Sequence, residues 1–209
     1  MHDRVFSRQS SDQTDAPILL LACGALAREI LDILEINNWS HIDVICLPAQ
    51  LHNRPDAIPD AVRDAVEKHR PHYETIHVVY ADCGTGGLLK KTCDELGVEM
   101  VQGPHCYAFF EGVPQFTARD EITAFYLTDF LARQFDAFVW TPLGLDRHPQ
   151  LRDMYFGNYT KLVYISQIDD PDLVKLAQNH AERLGLAFEH RRTGYGDLAT
   201  QISTWAGQT

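Results

Sequence analysis

Three of the five cysteines in this chain stand where an apolar segment ends and a tight turn is expected. Cys23 precedes Gly24, Cys83 lies in the segment YADCGTGG, and Cys106 follows His105 in GPHCY. Thiolates bind soft metals and attack electrophiles, while glycine lets the backbone approach a ligand closely. The sequence therefore predicts a thiol-based site, provided that the three sulfurs meet.

A parallel sheet would bring these cysteines together. The apolar runs PILLLAC, HIDVICLPA and TIHVVYADC are each followed by a helical pattern, which predicts an α/β protein with a largely parallel sheet and helices on both faces. Ligands bind at the carboxyl ends of the strands in such sheets. We therefore expect Cys23, Cys83 and Cys106 at one sheet edge. Packing is a sufficient explanation for Cys46 inside a strand and Cys93 inside a helix.

The rest of the chain continues the alternation of strands and helices. The later patterns predict a helix over residues 120–135, a strand over 137–141, a strand over 161–166 and a helix over 170–185. Residues 1–16 are polar and aperiodic, and we predict a flexible tail there. Residues 17–209 are expected to form a single α/β domain, because no long linker or fixed repeat interrupts them.

Charge and composition narrow the range of partners. The 209 residues carry a formal net charge of −11, so nucleic acid is not an expected partner. No apolar run reaches the roughly 20 residues that span a bilayer, and a membrane partner is not expected either. The odd number of scattered cysteines argues against a disulfide framework. A cytoplasmic protein with available thiols is the prediction.

Three thiolates can hold two kinds of metal centre. In a 4Fe-4S cluster held by only three cysteines, one iron is left open to substrate, and this is the first hypothesis. In a zinc site, the fourth position is left for His105, His52 or an exchangeable ligand. No C-x-x-C spacing decides between cluster and zinc.

A third hypothesis uses Cys83 or Cys106 as the nucleophile, with a nearby base such as His105. Adjacent side chains on an extended chain point apart, so His105 is a poor base for Cys106 and is better placed for Cys83. The predicted catalytic side chains are His105, His52 and Arg54. Residues expected to contact a cofactor or an anion are Gly24, Gly84, Thr85, Gly86 and Tyr107.

Seven motifs together resemble one known family. The segments LLACGALAREI, LPAQLHNRP, YADCGTGG, GPHCY, FYLTDFLARQFD, GLDRHPQLRDMYFGNYTKLVYISQ and GYGDL are similar to those of the bacterial and archaeal family called domain of unknown function 1638. The resemblance covers about residues 17–205 and places the family's cysteine motifs on Cys23, Cys83 and Cys106. This chain departs from the family at Ala108, where an acid is expected. If that acid acts as a base or supports a ligand, Glu111 would have to replace it or the activity would differ.

The resemblance also implies a metabolic setting. Members of the family are often encoded near corrinoid-dependent methyltransferases, which implies an accessory role in one-carbon or methyl-transfer-linked metabolism. For the open-site cluster, the expected substrate is a small anionic or thiol-containing molecule. Besides the cysteine nucleophile, three alternatives stay open at this point. The protein is an iron-sulfur enzyme of the lyase or transferase type, a zinc protein that activates a thiol or water, or a non-catalytic accessory protein for a corrinoid methyltransferase.

Overall fold

The computed structural model describes residues 6–8 and 18–207. The chain forms two compact units. The first contains Met1–Phe109 and Asp197–Thr209, and the second contains Phe110–Gly196. The prediction of a single domain over 17–209 stays a prediction, because compact units of this size occur both within one domain and as separate domains. The predicted tail lies outside the described residues, apart from the strand Phe6–Arg8.

The first unit is built on a mostly parallel sheet. Its strands are β1 (Phe6–Arg8), β2 (Ile18–Cys23), β3 (Ile42–Leu47), β4 (Thr75–Val79) and β5 (Glu99–Met100). Their order across the sheet is β1-β3-β2-β4-β5, and only β1 runs antiparallel to its neighbour. The helices are α1 (Ala27–Ile36), α2 (Ile58–His69), α3 (Leu88–Leu96) and α9 (Gly196–Ala206), while α4 (Ala108–Glu111) begins at the end of this unit's first segment.

The apolar pattern explains the centre of this sheet. All six residues of β2 are buried, as a strand with neighbours on both edges and helices packed on its faces requires. In α1 the buried face includes Ile30, Ile33 and Leu34, the spacing expected of an amphipathic helix. Gly97 ends α3 in the left-handed conformation, with a φ of 65°. These features follow from local sequence signals.

The second unit has its own parallel sheet in the order β6-β7-β8. The strands are β6 (Ala124–Leu127), β7 (Lys161–Ser166) and β8 (Ala187–Arg192), and the helices are α5 (Val113–Arg119), α6 (Asp129–Arg133), α7 (Arg152–Phe156) and α8 (Pro171–Leu184). Its core packs Leu162 and Tyr164 of β7 with Ala177 and Ala181 of α8. The predicted α/β class with parallel strands is confirmed, and the strands are divided between two sheets.

Two of the predicted elements are wrong. Residues 120–135 contain β6 followed by α6, not one helix, and the Thr128 hydroxyl accepts a hydrogen bond from the Leu131 amide at 3.3 Å where α6 begins. The strand predicted over 137–141 is a π-helical turn at Asp136–Trp140. Short apolar runs suit both strand and helix, so tertiary packing decided both cases.

Gly24, directly after β2, lies close against the backbone at the end of β3. A Cβ atom placed on Gly24 would lie 2.9 Å from the Leu47 carbonyl oxygen and 3.2 Å from the Ala49 amide nitrogen. Those neighbours are backbone atoms, which cannot rotate away as a flexible side chain can. Glycine at position 24 therefore has a structural reason that is independent of any ligand.

We expect Gly24→Ala to lower the free energy of unfolding by about 1–3 kcal/mol, because the added methyl group overpacks fixed backbone. Urea unfolding followed by circular dichroism measures the change. Gly207→Ala is the matched control, since its Cβ would lie 3.7 Å from the nearest atom, the Ser203 oxygen. An equal loss in both variants would contradict the close-approach explanation.

Candidate functional site

Three cysteines leave the first sheet at the same edge. Cys23 is the last residue of β2, Cys83 follows β4, and Cys106 lies between β5 and α4. Because β2, β4 and β5 are successive parallel neighbours, their carboxyl ends point the same way. The Sγ atoms of Cys83 and Cys106 are 3.2 Å apart. Cys23 interacts electrostatically with both of them, so the three thiols form one cluster.

Backbone hydrogen bonds hold two of the cysteine segments side by side. The Asp82 amide donates to the Gly103 oxygen and the Cys83 amide donates to the Pro104 oxygen, each at 3.0 Å. Cys83 itself has a φ of 48°, in the left-handed region that residues other than glycine seldom adopt. The paired segments therefore impose a conformation on Cys83 that places its sulfur against Cys106.

Asp82 organises the glycine-rich turn that follows. Its carboxylate accepts hydrogen bonds from the Thr85 hydroxyl at 2.8 Å, the Gly87 amide at 2.7 Å and the Gly86 amide at 3.1 Å. Burial opposes ionisation of Asp82, but these donors outweigh it and lower the pKa of the carboxyl. The amides that would cradle a phosphate are thus already bonded to a carboxylate. An anion held by Gly84, Thr85 and Gly86 stays a prediction, and it would have to compete with Asp82.

Cys83 is the thiol that ionises most easily. The hydrogen bond with Cys106 lowers the pKa of Cys83 to about 5 against the opposing effect of burial, and a hydrogen bond with His52 contributes further. The same contacts raise the pKa of Cys106 and the pKa of His52. At neutral pH the negative charge is therefore on Cys83 and the shared proton on Cys106. Cys83 is 5% exposed, and His52 lies at the solvent side of this contact.

His52, from the loop after β3, is the imidazole in contact with Cys83. Burial lowers the pKa of His105, although the charge of Cys83 acts in the opposite direction, and the His105 ring stacks on Tyr107 with centroids 4.9 Å apart. His105 therefore stays mostly neutral beside the cluster. Arg54 is exposed in the same loop as His52. The next residue, Pro55, would lie 3.6 Å from a Cβ on Gly84, so the two loops are adjacent.

Tyr80 is a member of the cluster that is not among the site residues predicted from the sequence. Its side chain is 1% exposed, and burial together with the charges of Cys23 and Cys106 raises its pKa. Burial raises the pKa of Cys23 to about 11, although the Ala25 amide and the Tyr80 hydroxyl act in the opposite direction. Within the described residues that hydroxyl makes no regular hydrogen bond. The sequence offers one signal for Tyr80, which is that a residue with a hydroxyl group directly follows an apolar strand.

The thiols do not stand as a preformed metal site. Among residues 6–8 and 18–207, no group of three His, Cys, Asp or Glu side chains is arranged to hold a metal ion. Two thiolates on one zinc ion, with bonds of about 2.3 Å in a tetrahedron, would be roughly 3.8 Å apart, and thiolates on different irons of a cluster would be farther apart. A metal would have to spread the Cys83–Cys106 pair and remove the protons of Cys106 and Cys23.

Two buried carboxylates of the second unit, Glu111 and Asp129, have structural partners. Glu111 pairs with Arg119 at 2.6 Å and with Arg191 at 3.1 Å. Asp129 accepts a hydrogen bond from the Tyr164 hydroxyl at 2.6 Å. Each carboxylate thus has a structural partner. The replacement of a missing acid near position 108 by Glu111 stays a prediction.

The fold and the site define an α/β protein with a cysteine cluster at the carboxyl edge of a parallel sheet. The family model described as "Protein of unknown function (DUF1638)" matches residues 46–202, and the chain belongs to that family. A comparison with curated proteins finds no match, and a comparison with solved structures finds none either. Within the described part of the chain, no helix combines the length and apolar character needed to cross a membrane.

The charge distribution predicts an acid-shifted alkylation profile for Cys83. In metal-free protein, we expect the rate of iodoacetamide alkylation at Cys83 to rise with a midpoint near pH 5, because the thiolate is present above its pKa. Cys106→Ala removes the principal donor and should move the midpoint upward, toward the ordinary thiol value of about 8.5. Peptide mass spectrometry measures the rate at each site.

Cys93 is the internal control for that profile. Burial raises its pKa to about 11, so it should react slowly across the same range. A Cys83 midpoint that stays unchanged in Cys106→Ala would contradict the assignment of the Cys106 hydrogen bond as the main cause.

Proposed function

We propose that this protein is a cysteine-dependent enzyme in which the Cys83 thiolate attacks a small electrophilic substrate. The observation that carries the proposal is the 3.2 Å contact between the sulfur atoms of Cys83 and Cys106. His52 is hydrogen-bonded to the sulfur of Cys83. Nucleophilic cysteines need a lowered pKa and a nearby base. The lowered pKa of Cys83 and its hydrogen bond with His52 support this role. This is the third hypothesis from the sequence, with His52 in the place given to His105.

The contacts suggest a role for each neighbour. Cys83 forms the new bond through its sulfur while the Cys106 thiol keeps the anion hydrogen-bonded. The His52 imidazolium is placed to donate its proton to the departing group. As neutral imidazole it would then take a proton from the water or other acceptor that cleaves the bond to Cys83, which leaves as the thiolate. His52 and the exposed Arg54 bring positive charge to the loop that contacts Cys83, in a chain of net charge −11. That local charge supports the predicted small anionic substrate.

Site-selective labelling tests this proposal. Reduced, metal-free protein at pH 7 is treated with a limiting amount of a small anionic electrophile such as iodoacetate. We expect Cys83 to carry nearly all of the label, and Cys83→Ser to remove it. The matched control is Cys46→Ala, since Cys46 lies buried in β3 and burial raises its pKa to about 12. Labelling spread evenly over the cysteines would overturn the proposal.

A metal centre held by Cys23, Cys83 and Cys106 is the second candidate. The specific observation in its favour is that thiols from three distant segments gather in one cluster, with one of them already ionised. With three protein thiolates, a 4Fe-4S cluster leaves one iron open to substrate, and zinc in the same place would activate a thiol or water. The short sulfur–sulfur contact needs less change for one zinc ion than for a cluster.

Metal analysis of protein purified without oxygen decides between these candidates. The cluster predicts a brown protein with comparable iron and sulfide, and zinc predicts a colourless protein with about one zinc ion per chain. Cys23→Ser, Cys83→Ser and Cys106→Ser should each lower metal content strongly, whereas Cys46→Ala should not. Metal bound equally well by all four variants would eliminate the three-cysteine centre.

The biological setting is also a proposal. We propose a cytoplasmic protein because its five cysteines are free, as a reducing compartment allows. One-carbon or methyl-transfer-linked metabolism is implied by the family resemblance rather than by any contact. A non-catalytic accessory role beside a corrinoid methyltransferase predicts that Cys83→Ser keeps partner binding. The enzyme proposal predicts that the same variant loses turnover.

A further inference from the structure

The contact between Cys83 and Cys106 has a consequence beyond nucleophilic attack. We infer that the two residues form a redox modification site, at which a hydroperoxide oxidises Cys83 and Cys106 then closes a reversible disulfide. The inference rests on the proposed reactive Cys83. It adds an oxidised state of the site, in which Cys83 is part of a disulfide and cannot act as a nucleophile.

The geometry brings the sulfurs close to bonding distance. They are 3.2 Å apart, and a disulfide bond is about 2.05 Å long, so an approach of roughly 1 Å is needed. The amides of Asp82 and Cys83 bond to the oxygens of Gly103 and Pro104, which keeps the two segments side by side. Movement of the two cysteine side chains would therefore have to bring the sulfur atoms the rest of the way together. Both cysteines are free in this structure.

The two steps balance in atoms and electrons. The Cys83 thiolate attacks one oxygen of the hydroperoxide, the O–O bond breaks, and Cys83 becomes a sulfenic acid while hydroxide or alkoxide leaves. The Cys106 thiol then attacks the Cys83 sulfur, the S–O bond breaks, and water leaves with the thiol proton. The two sulfurs together lose two electrons, which reduce the O–O bond. A dithiol reductant returns both cysteines to thiols.

The other cysteines are poor alternatives for this chemistry. Cys46 is 2% exposed inside β3, and Cys93 is 0% exposed inside α3. Burial raises the pKa of each, so both are protonated at neutral pH. Cys23 is 4% exposed at the end of β2. Oxidation is therefore expected at Cys83 first and resolution at Cys106.

The structure implies an off state for the proposed site. A disulfide removes the Cys83 thiolate, and it also removes two of the three thiols of the alternative metal centre. Either proposed function would stop under peroxide and resume on reduction. The Cys83–Cys106 pair would then report the redox condition of the compartment.

The test uses the reduced, metal-free, full-length chain carrying Cys93→Ala. This background is needed because no Lys or Arg separates Cys93 from Cys106, so trypsin leaves both in one peptide. The protein is treated with stoichiometric hydrogen peroxide, blocked with N-ethylmaleimide, digested and analysed by mass spectrometry. We expect the Cys83 and Cys106 peptides to be linked, and dithiothreitol to release them.

Two further variants sharpen the result. Cys106→Ser should abolish the link and leave Cys83 as a sulfenic acid that a cyclic 1,3-diketone traps. Cys46→Ala should form the link as readily as the background protein. Circular dichroism checks that each variant is folded. We expect Cys83 to oxidise at least about tenfold faster than Cys23.

Failure of the inference differs from failure of the proposed function. A link from Cys83 to Cys23, or a wild-type Cys83 that remains a sulfenic or sulfinic acid, overturns Cys106 as the resolving thiol. If Cys83 takes iodoacetate but forms no link with Cys106, the inference fails and the nucleophile proposal stands. If Cys83 reacts with neither reagent, both are wrong.

Discussion

The chemistry of the first unit depends on the hydrogen bond between the sulfur atoms of Cys83 and Cys106. Burial favours the neutral form of a thiol, as it does at Cys23. At 3.2 Å the Cys106 thiol stabilises the Cys83 anion, and the His52 imidazole adds a second hydrogen bond. Of the three sulfur atoms, that of Cys83 therefore carries the negative charge. The proposed nucleophilic attack, the alternative metal binding and the inferred oxidation would all begin at that sulfur.

The backbone around Cys83 keeps this contact in place. Cys83 adopts a left-handed conformation, and its amide is bonded to the Pro104 oxygen on the segment that carries Cys106. The Asp82 carboxylate accepts hydrogen bonds from the amides of Gly86 and Gly87 and from the hydroxyl of Thr85. The glycine-rich turn is thus held by an internal carboxylate. In this structure the turn is a scaffold for the preceding cysteine, and anion binding by its glycines stays a prediction.

Much of the fold was predictable because its signals are local. Apolar runs identified β2, β3, β4 and β7, and helical spacing identified α1 and α8, since each pattern is set by residues a few positions apart. The region 120–135 was not predictable in this way. Its apolar residues fit a helix as well as a strand followed by a helix. Pairing of Ala124–Leu127 with β7, a contact distant in sequence, decides for the strand.

The amino-acid sequence by itself determined that thiols stand at the ends of parallel strands, because an apolar run followed by glycine marks a strand end within a few residues. It also determined that Cys46 and Cys93 belong to the interior of a strand and a helix. Only the tertiary structure decided that His52 rather than His105 contacts Cys83, that Tyr80 joins the cluster, and that Cys83 carries the charge. Protonation depends on burial and on distances through space, and neither quantity is written in the order of residues along the chain.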